Sequence, residues 1–400
     1  MLTTMRVSVV HDIPMSDAQF GLLTSVFLWF YASVGPLGGF IGDRFSRRWV
    51  ILVSLFCWSS VVVLTAYAKT FTEFVMLRAV LGLAQACYVP TGVALITDFH
   101  RGPTRAFATG LNLTGMICGS LLGSSCGWIA DRHGWRFAYL VMGVGSLALV
   151  ALNVFLLRDS PREGGVRRPA RGIAANAPGL GEGDTIPHPR FFDAIRSLAR
   201  PGPFYLFIAS MALQGAVSWI IIAWMPTVMR EQYHLGQGAA GLSALGFLYV
   251  FQTTGLLLGG VWSDRWTRSN PRARILLPAY AIMLAAPLFW LTGWSHGMAV
   301  TLVSLCAYGL AMGIMGANQM AIVCLVVDAR YRATAMGVLN AGTAISGGLA
   351  IYGLGALRDA GVGVSLILVF AGMGVLLIGF LMWLINRYSL LRPASAPATP

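Results

Sequence analysis

The sequence predicts an all-α polytopic membrane protein built from two pseudo-symmetric helical bundles. Three observations predict it. Only 11% of the 400 residues are charged and the mean hydropathy is +0.71, far outside the range of soluble proteins. Apolar runs of about 20 residues, long enough to cross a bilayer core as helices, recur along the chain. A charged motif between two such runs, GGFIGDRFSRR at 38–48, has a looser copy, GGVWSDRW at 259–266.

Helices are expected at 19–42, 49–68, 73–97, 106–130 and 136–157, then at 203–229, 238–262, 274–293, 298–326, 334–357 and 363–386. That is eleven, five before a central polar stretch and six after it. The expected organisation is an N-terminal bundle over 1–157, a linker over 158–202, a C-terminal bundle over 203–388 and a tail over 389–400. The linker RDSPREGGVRRPARGIAANAPGLGEGD is rich in Arg, Gly, Pro and Ala, the composition of a mobile connection. At its end, Phe191, Phe192, Ile195 and Leu198 stand at helical spacing opposite Arg190, Arg196 and Arg200, which suits a helix lying on a membrane face.

The net charge of +13 raises the question of a nucleic-acid partner, and the placement of the charge answers it. Of the 28 basic residues 27 are Arg, and 21 of the 28 fall in alternate loops. Those loops carry Arg44, Arg47 and Arg48, then Arg101 and Arg105, the 158–200 run, the Arg265–Arg274 group, Arg330 and Arg332, and the C-terminus. This positive-inside bias puts the 43–48 loop, the linker and the C-terminus in the cytoplasm of a cell (inner) membrane protein, with the bilayer rather than nucleic acid as partner.

No enzyme constellation stands out. The six Cys all fall within expected helices without CxxC spacing and read as apolar fillers. The six His lie in loops or at helix ends, no HExxH or P-loop string occurs, and no metal or cofactor is implied. The sequon at Asn112 lies inside a helix.

The halves repeat beyond the opening motif. RAFATGLNLTG from Arg105 and RATAMGVLNAG from Arg332 share R-A-x-A-x-G-x4-G, and Asp131–Gly134 and Asp359–Gly361 occupy the next turn of each half. Two related bundles joined by a linker make a transporter plan. Gly115, Gly119, Gly123 and Gly127 form a ridge at four-residue intervals, a packing surface for another helix.

Over essentially its full length the chain resembles the major facilitator superfamily. The residues that carry the resemblance are G-x-x-x-D-R-x-x-R-R at Gly39–Arg48, with Ser46 in place of the usual glycine, and the echo at Gly260, Asp264 and Arg265. The resemblance implies twelve helices; MLTTMRVSVVHDIPMSDAQFG is too short for the first, so that helix is expected to be largely missing. RAVLGLAQACYVP places Arg78, Gly82, Ala86 and Pro90 on R-x3-G-x2-E-A-x3-P, a pattern of the anion:cation symporter (organic anion) group. WMPT at Trp224–Thr227, GWRFAY at Gly134–Tyr139 and MGVLNAGTAISGG resemble the same group. Spinster-type lipid transporters share GDR-x-x-R and a similar helix. Where the pattern has a proton-carrying Glu this chain has Gln85, so the resemblance leaves a proton or sodium co-substrate open.

Arg78 is the one Arg inside the expected bilayer core, where charge is costly and residues face a cavity or a partner. A guanidinium binds carboxylate in a fork, which suits an anionic substrate; snorkelling to the surface is the alternative. Polar residues in apolar helices (Gln85, Tyr88, Asn112, Gln214, Trp219 and Asn318 among them) must bond another helix, water or a ligand. Tyr31 and Asn340 match positions that the family uses near its cavity, which gives a substrate shell of Arg78, Tyr31, Gln85 and Asn340. The resemblance makes Asp43, Arg44, Arg47 and Arg48 a latch between halves, with Asp43 against the N-terminus of the helix starting near Ala333; anchoring to the cytoplasmic side is the alternative. The expected function is transport of a small organic anion, a carboxylate or sugar acid, by alternating access. A lipid or amphiphile transporter, and a non-transporting relic lacking helix one, are the alternatives.

Overall fold

The computed structural model describes residues 1–100, 103–159, 203–270, 272–294, 297–327 and 332–391. Nearly all of the linker, including the surface helix expected at 190–200, lies outside the described residues, as do 392–400. After a single 3-10 turn, Leu2–Met5, the described elements are α-helices: α1 Arg6–Asp12, α2 Asp17–Arg44, α3 Arg47–Thr65, α4 Phe71–Ala86, α5 Tyr88–Phe99, α6 Pro103–Ser124, α7 Cys126–His133 and α8 Trp135–Leu156. Beyond the linker follow α9 Pro203–Tyr233, α10 Gln237–Thr267, α11 Ala273–Thr292, α12 Met298–Val326, α13 Arg332–Asp359 and α14 Val364–Leu391.

All eleven expected segments are helical, and ten stretches among the described residues are long and apolar enough to cross a membrane. The α6 segment is not among the ten, because Thr104, Thr109, Asn112, Thr114 and Ser120 replace aliphatic side chains there.

Two segments expected as single helices are broken. Pro90 has no N–H, and its ring crowds the carbonyl of Ala86 one turn earlier, so the ladder between α4 and α5 is interrupted at Cys87. Between α6 and α7 the consecutive hydroxyls of Ser124 and Ser125 bond back to Leu121 O (2.7 Å) and Leu122 O (2.8 Å), competing with the helix's own bonds.

The helices alternate in direction. One end, here the basic end, carries the α2–α3 turn, the α5–α6 connection, the linker and the α10–α11 and α12–α13 connections. The opposite end carries residues 13–16, 66–70, 134, 234–236 and 360–363. Capping boxes start α2 (Ser16 with Gln19) and α4 (Thr70 with Glu73) there. Gly134 and Gly361 take φ of +84° and +85°, so a positive-φ glycine follows the helix at both of the repeated Asp–Gly positions.

Buried side chains form two clusters. One is drawn from residues 204–385. The other comes from residues 2–139 and takes in Ala223, Trp224, Ile351 and Leu354 from the later part of the chain. In lipid the packing rests on small residues that let backbones approach. Along α2 and α13, a Cβ on Gly355 would lie 2.3 Å from Asp17 O, and one on Gly21 2.8 Å from Ile351 O. Between α7 and α10, a Cβ on Gly127 would lie 2.6 Å from the Gln237 backbone. Toward the basic end the same surfaces part: a Cβ on Gly35, Gly115, Gly119, Gly337 or Gly342 meets nothing within 4 Å. Among the described residues, the close approaches between the halves lie toward the opposite end, and these glycines have open space around them.

Candidate functional site

Arg78 projects from α4 into the first-half core. Its guanidinium lies over the Phe74 ring, one turn back on the same helix, at 5.5 Å from the centroid. Nη2 donates to the Tyr139 hydroxyl at 2.5 Å, and Nε is buried with no partner among the described residues. Tyr139 is only 3% exposed, and with Phe74 and Trp135 it forms an aromatic triangle with centroids 5.8–6.2 Å apart. The side chain therefore turns back toward the start of α4 and ends on a buried phenol. Arg78 makes no ion pair with a carboxylate among the described residues.

The motif around Arg78 has a local physical reason. Gly82 lets α2 approach, since a Cβ there would lie 2.5 Å from Phe27 O and 3.1 Å from Tyr31 N. Gly38 does the reverse: a Cβ there would lie 2.6 Å from Ala86 O. The half-buried Tyr31, stacked on Phe27, is thereby brought against the α4 turn that precedes Gln85. Gln85 stands two helical turns from Arg78 on the same face. Asn340 is not part of this group; it sits exposed on α13, between Gly337 and Gly342, in the stretch where the halves have parted.

Of the other polar helix residues, Asn318 ties α12 to Ser263 of α10 at 2.6 Å, while Gln214 Oε1 is buried without a partner among the described residues. Among the described residues no group of His, Cys, Asp and Glu could hold a metal.

At the basic end the motif arginines are bound within their own half. Arg47 pairs with Asp98 and donates to Ala94 O at 3.0 Å, and Arg48 donates to Val154 O at 2.5 Å. Arg44 is exposed. In the echo, Asp264 pairs with Arg274 at 2.9 Å, Arg265 is exposed, and Gly260 has open space around it. The side chains of Asp43, Arg105 and Arg332 lie outside the described residues; Gly39 belongs to the last turns of α2. Of the glycine ridge, Gly127 makes the close approach, and a Cβ on Gly123 would lie 3.7 Å from the Met1 nitrogen.

The opposite end holds the densest polar seam between the halves. Asp17 binds Arg6 through one oxygen and Arg358 (2.7 Å) through the other. Glu231 accepts from Arg358 at 2.9 and 3.0 Å and lies 3.6 Å from Arg6. Both guanidinium groups stand over the ring of Trp224, at 5.6 and 5.3 Å, and that ring is 2% exposed.

Two further carboxylates cap helices of the other half. Asp359 accepts from the backbone N–H groups of Asp17 and Ala18, both at 2.9 Å, at the start of α2. Asp131 accepts from the Gln237 side chain at 2.8 Å and from Gly238 N at 3.3 Å, at the start of α10. Sequence reasoning marked Asp131 and Asp359 only as a repeat and missed the seam. The signal was there: Arg6 and Arg358 are basic residues outside the basic loops, and Asp17 and Glu231 lie at the same end.

Comparison with known proteins places this geometry. The Major Facilitator Superfamily model matches residues 1–351. The probable sulfoacetate transporter SauU of Cupriavidus necator is 26% identical over 349 residues, covering 84% of this chain and 78% of that protein. Protein spinster of Drosophila melanogaster is 27% identical over 296 residues, 71% of this chain; the match spans only 46% of the fly protein's length. The crystal structure of a bacterial homolog to the human lysosomal transporter Spinster, in an inward-facing and occupied conformation, superposes with a TM-score of 0.77 at 18% identity. That superposition covers 99% of this chain and 94% of the other.

Proposed function

The chain belongs to the Major Facilitator Superfamily, and from that premise we propose that it moves a small organic anion, a carboxylate or sugar acid, by alternating access. One observation carries the reading: Arg78 is a half-buried cation held by a neutral partner, Tyr139, with its buried Nε–H unused. A buried charge left unpaired is costly, and a carboxylate arriving in the cavity would relieve that cost through a fork of two hydrogen bonds. The sulfoacetate carrier among the relatives supports an anionic substrate.

In this reading the basic end faces the cytoplasm of the inner membrane, in line with the arginine bias, and the glycines with open space around them lie toward that side. Substrate reaches Arg78 between the parted halves, with Tyr31 and Gln85 from the same bundle and Asn340 from the other forming the rest of the shell. The Trp224 seam and the two carboxylate caps hold the outer end shut. Closing the inner end brings the Asp43 loop to the α13 terminus, so that Asp43, Arg44, Arg47, Arg48 and their echo at Gly260, Asp264 and Arg265 latch the alternate state. Gln85 cannot titrate near neutral pH, so proton coupling, where it exists, uses other groups.

A second reading, transport of a lipid or amphiphile, rests on the Spinster-type relative. Proteoliposome uptake of sulfoacetate, gluconate and benzoate, each competed with lysophospholipid, separates the two. Saturable anion uptake that lysophospholipid leaves unchanged supports the anion reading. Lysophospholipid flux without anion uptake replaces it.

A further inference from the structure

We infer that Tyr139 is a positioning residue for the anion site: its hydroxyl fixes the Arg78 guanidinium without neutralising it. The inference rests on the reading of Arg78 as the anion ligand and adds a residue from a different helix to it. Tyr139 lies in the first turns of α8, in the GWRFAY stretch that the functional reading left without a role.

Three contacts fix the phenol. Trp135 and Tyr139, four residues apart on one helix face, meet Phe74 of α4 in the aromatic triangle. Trp135 Nε1 donates to Asp12 at 3.0 Å, and the same carboxylate pairs with Arg136. Arg136 in turn lies 4.3 Å over the Trp135 ring and donates to Ala68 O at 3.2 Å. The start of α8 is therefore tied to α1 and to the α3–α4 turn, and the Tyr139 oxygen is held where Arg78 reaches it.

The chemistry of the acceptor matters. An internal Asp or Glu at this place would pair with the guanidinium and compete with an incoming carboxylate for the same fork. A phenol oxygen takes one of the five N–H donors and cancels none of the charge. With Phe74 under the plane and Tyr139 on Nη2, the guanidinium loses its rotational freedom before substrate arrives. Nε–H, the second Nη2 hydrogen and the Nη1 amine remain for the ligand. Preorganisation of this kind raises affinity by removing an ordering cost from the binding step.

The experiment is a double-mutant cycle on the full-length protein, with dissociation constants for sulfoacetate, gluconate and benzoate measured by calorimetry for wild type, Tyr139→Phe, Arg78→Lys and the double variant. Phe keeps the ring and its packing, so the ligand-free melting temperature should hold. Affinity should fall about tenfold for the best-bound probe, on the scale of one hydrogen bond to a charged group. In the Arg78→Lys background the same change should cost twofold or less, because the group that Tyr139 acts through has gone. Equal factors in both backgrounds, or no loss in the wild-type background, would overturn the inference and leave the Arg78 site standing. If Tyr139→Phe lowers the ligand-free melting temperature, Tyr139→His, which keeps an acceptor, should recover more than half of the lost affinity; no recovery counts against the inference. Unchanged affinity in Arg78→Lys, or no binding of any probe by wild type, overturns the anion site itself and this inference with it.

Discussion

Replacing Asp17 by Asn removes one of the two carboxylates that bridge Arg6 of the first half and Arg358 of the second. Both arginines stand over the same Trp224 ring, so the variant leaves two guanidinium groups sharing Glu231 alone. The side chains of Asp17, Arg6 and Arg358 are 17%, 15% and 13% exposed, between the surface and buried regimes. Exposed pairs contribute about 0–1 kcal/mol, and breaking a buried pair costs about 3–5 kcal/mol. The expected loss is therefore about 2–3 kcal/mol from the state shut at this end. That shifts the ratio of shut to open by roughly 30- to 150-fold, enough to bring a 99:1 population near parity. Spin labels at Lys69→Cys and Trp294→Cys, in a background without native cysteines, read the separation across the shut end. The variant should show a second, longer distance population. A distribution identical to wild type, with the protein folded, would refute the seam as the element that holds this end shut.

Gly127→Val should open the same end, because its side chain would meet the Gln237 backbone at 2.6 Å, whereas Gly115→Val, with nothing within 4 Å, should leave the label distance unchanged. Gln85→Glu adds a carboxyl to the face that carries Arg78, so uptake under an imposed proton gradient should acquire a pH dependence that wild type lacks; an unchanged profile removes Gln85 from the cavity. For Asp12, burial works to raise the carboxyl pKa, but hydrogen bonds from His11 and Trp135 and the Arg136 partner hold it below the ordinary value. Its stabilising contribution is therefore present above about pH 4 and lost as pH falls through the depressed pKa. Melting temperatures between pH 6 and pH 3 should fall less steeply in Asp12→Asn than in wild type.

Helix positions were legible because each segment is a long apolar run, and the repeat was legible because Asp, Arg and Gly recur at fixed spacing in both halves. The breaks at Cys87 and Ser125 were not, since hydropathy averages over the backbone hydrogen bonds that Pro90 and the paired serines disturb. Arg78 stood out as a lone charge in an apolar helix. Its partner did not: a buried phenol 61 residues away carries no periodic signal, and only packing reveals the contact. Asn340 shows the complementary limit. Expected in the substrate shell, it lies exposed on α13, and no one-dimensional pattern encodes which state is seen. The seam around Trp224 was hidden for the same reason, because its charges come from α1, α2, α9 and α13 and meet only in three dimensions.

The most direct test of the central claim is anion counterflow in proteoliposomes by wild type and Arg78→Lys at matched protein density. Lys keeps the positive charge but cannot form the planar fork, so an anion site at Arg78 predicts exchange of sulfoacetate or gluconate at least about tenfold weaker in apparent affinity. Arg78→Lys exchanging these anions with wild-type affinity and rate would contradict the account.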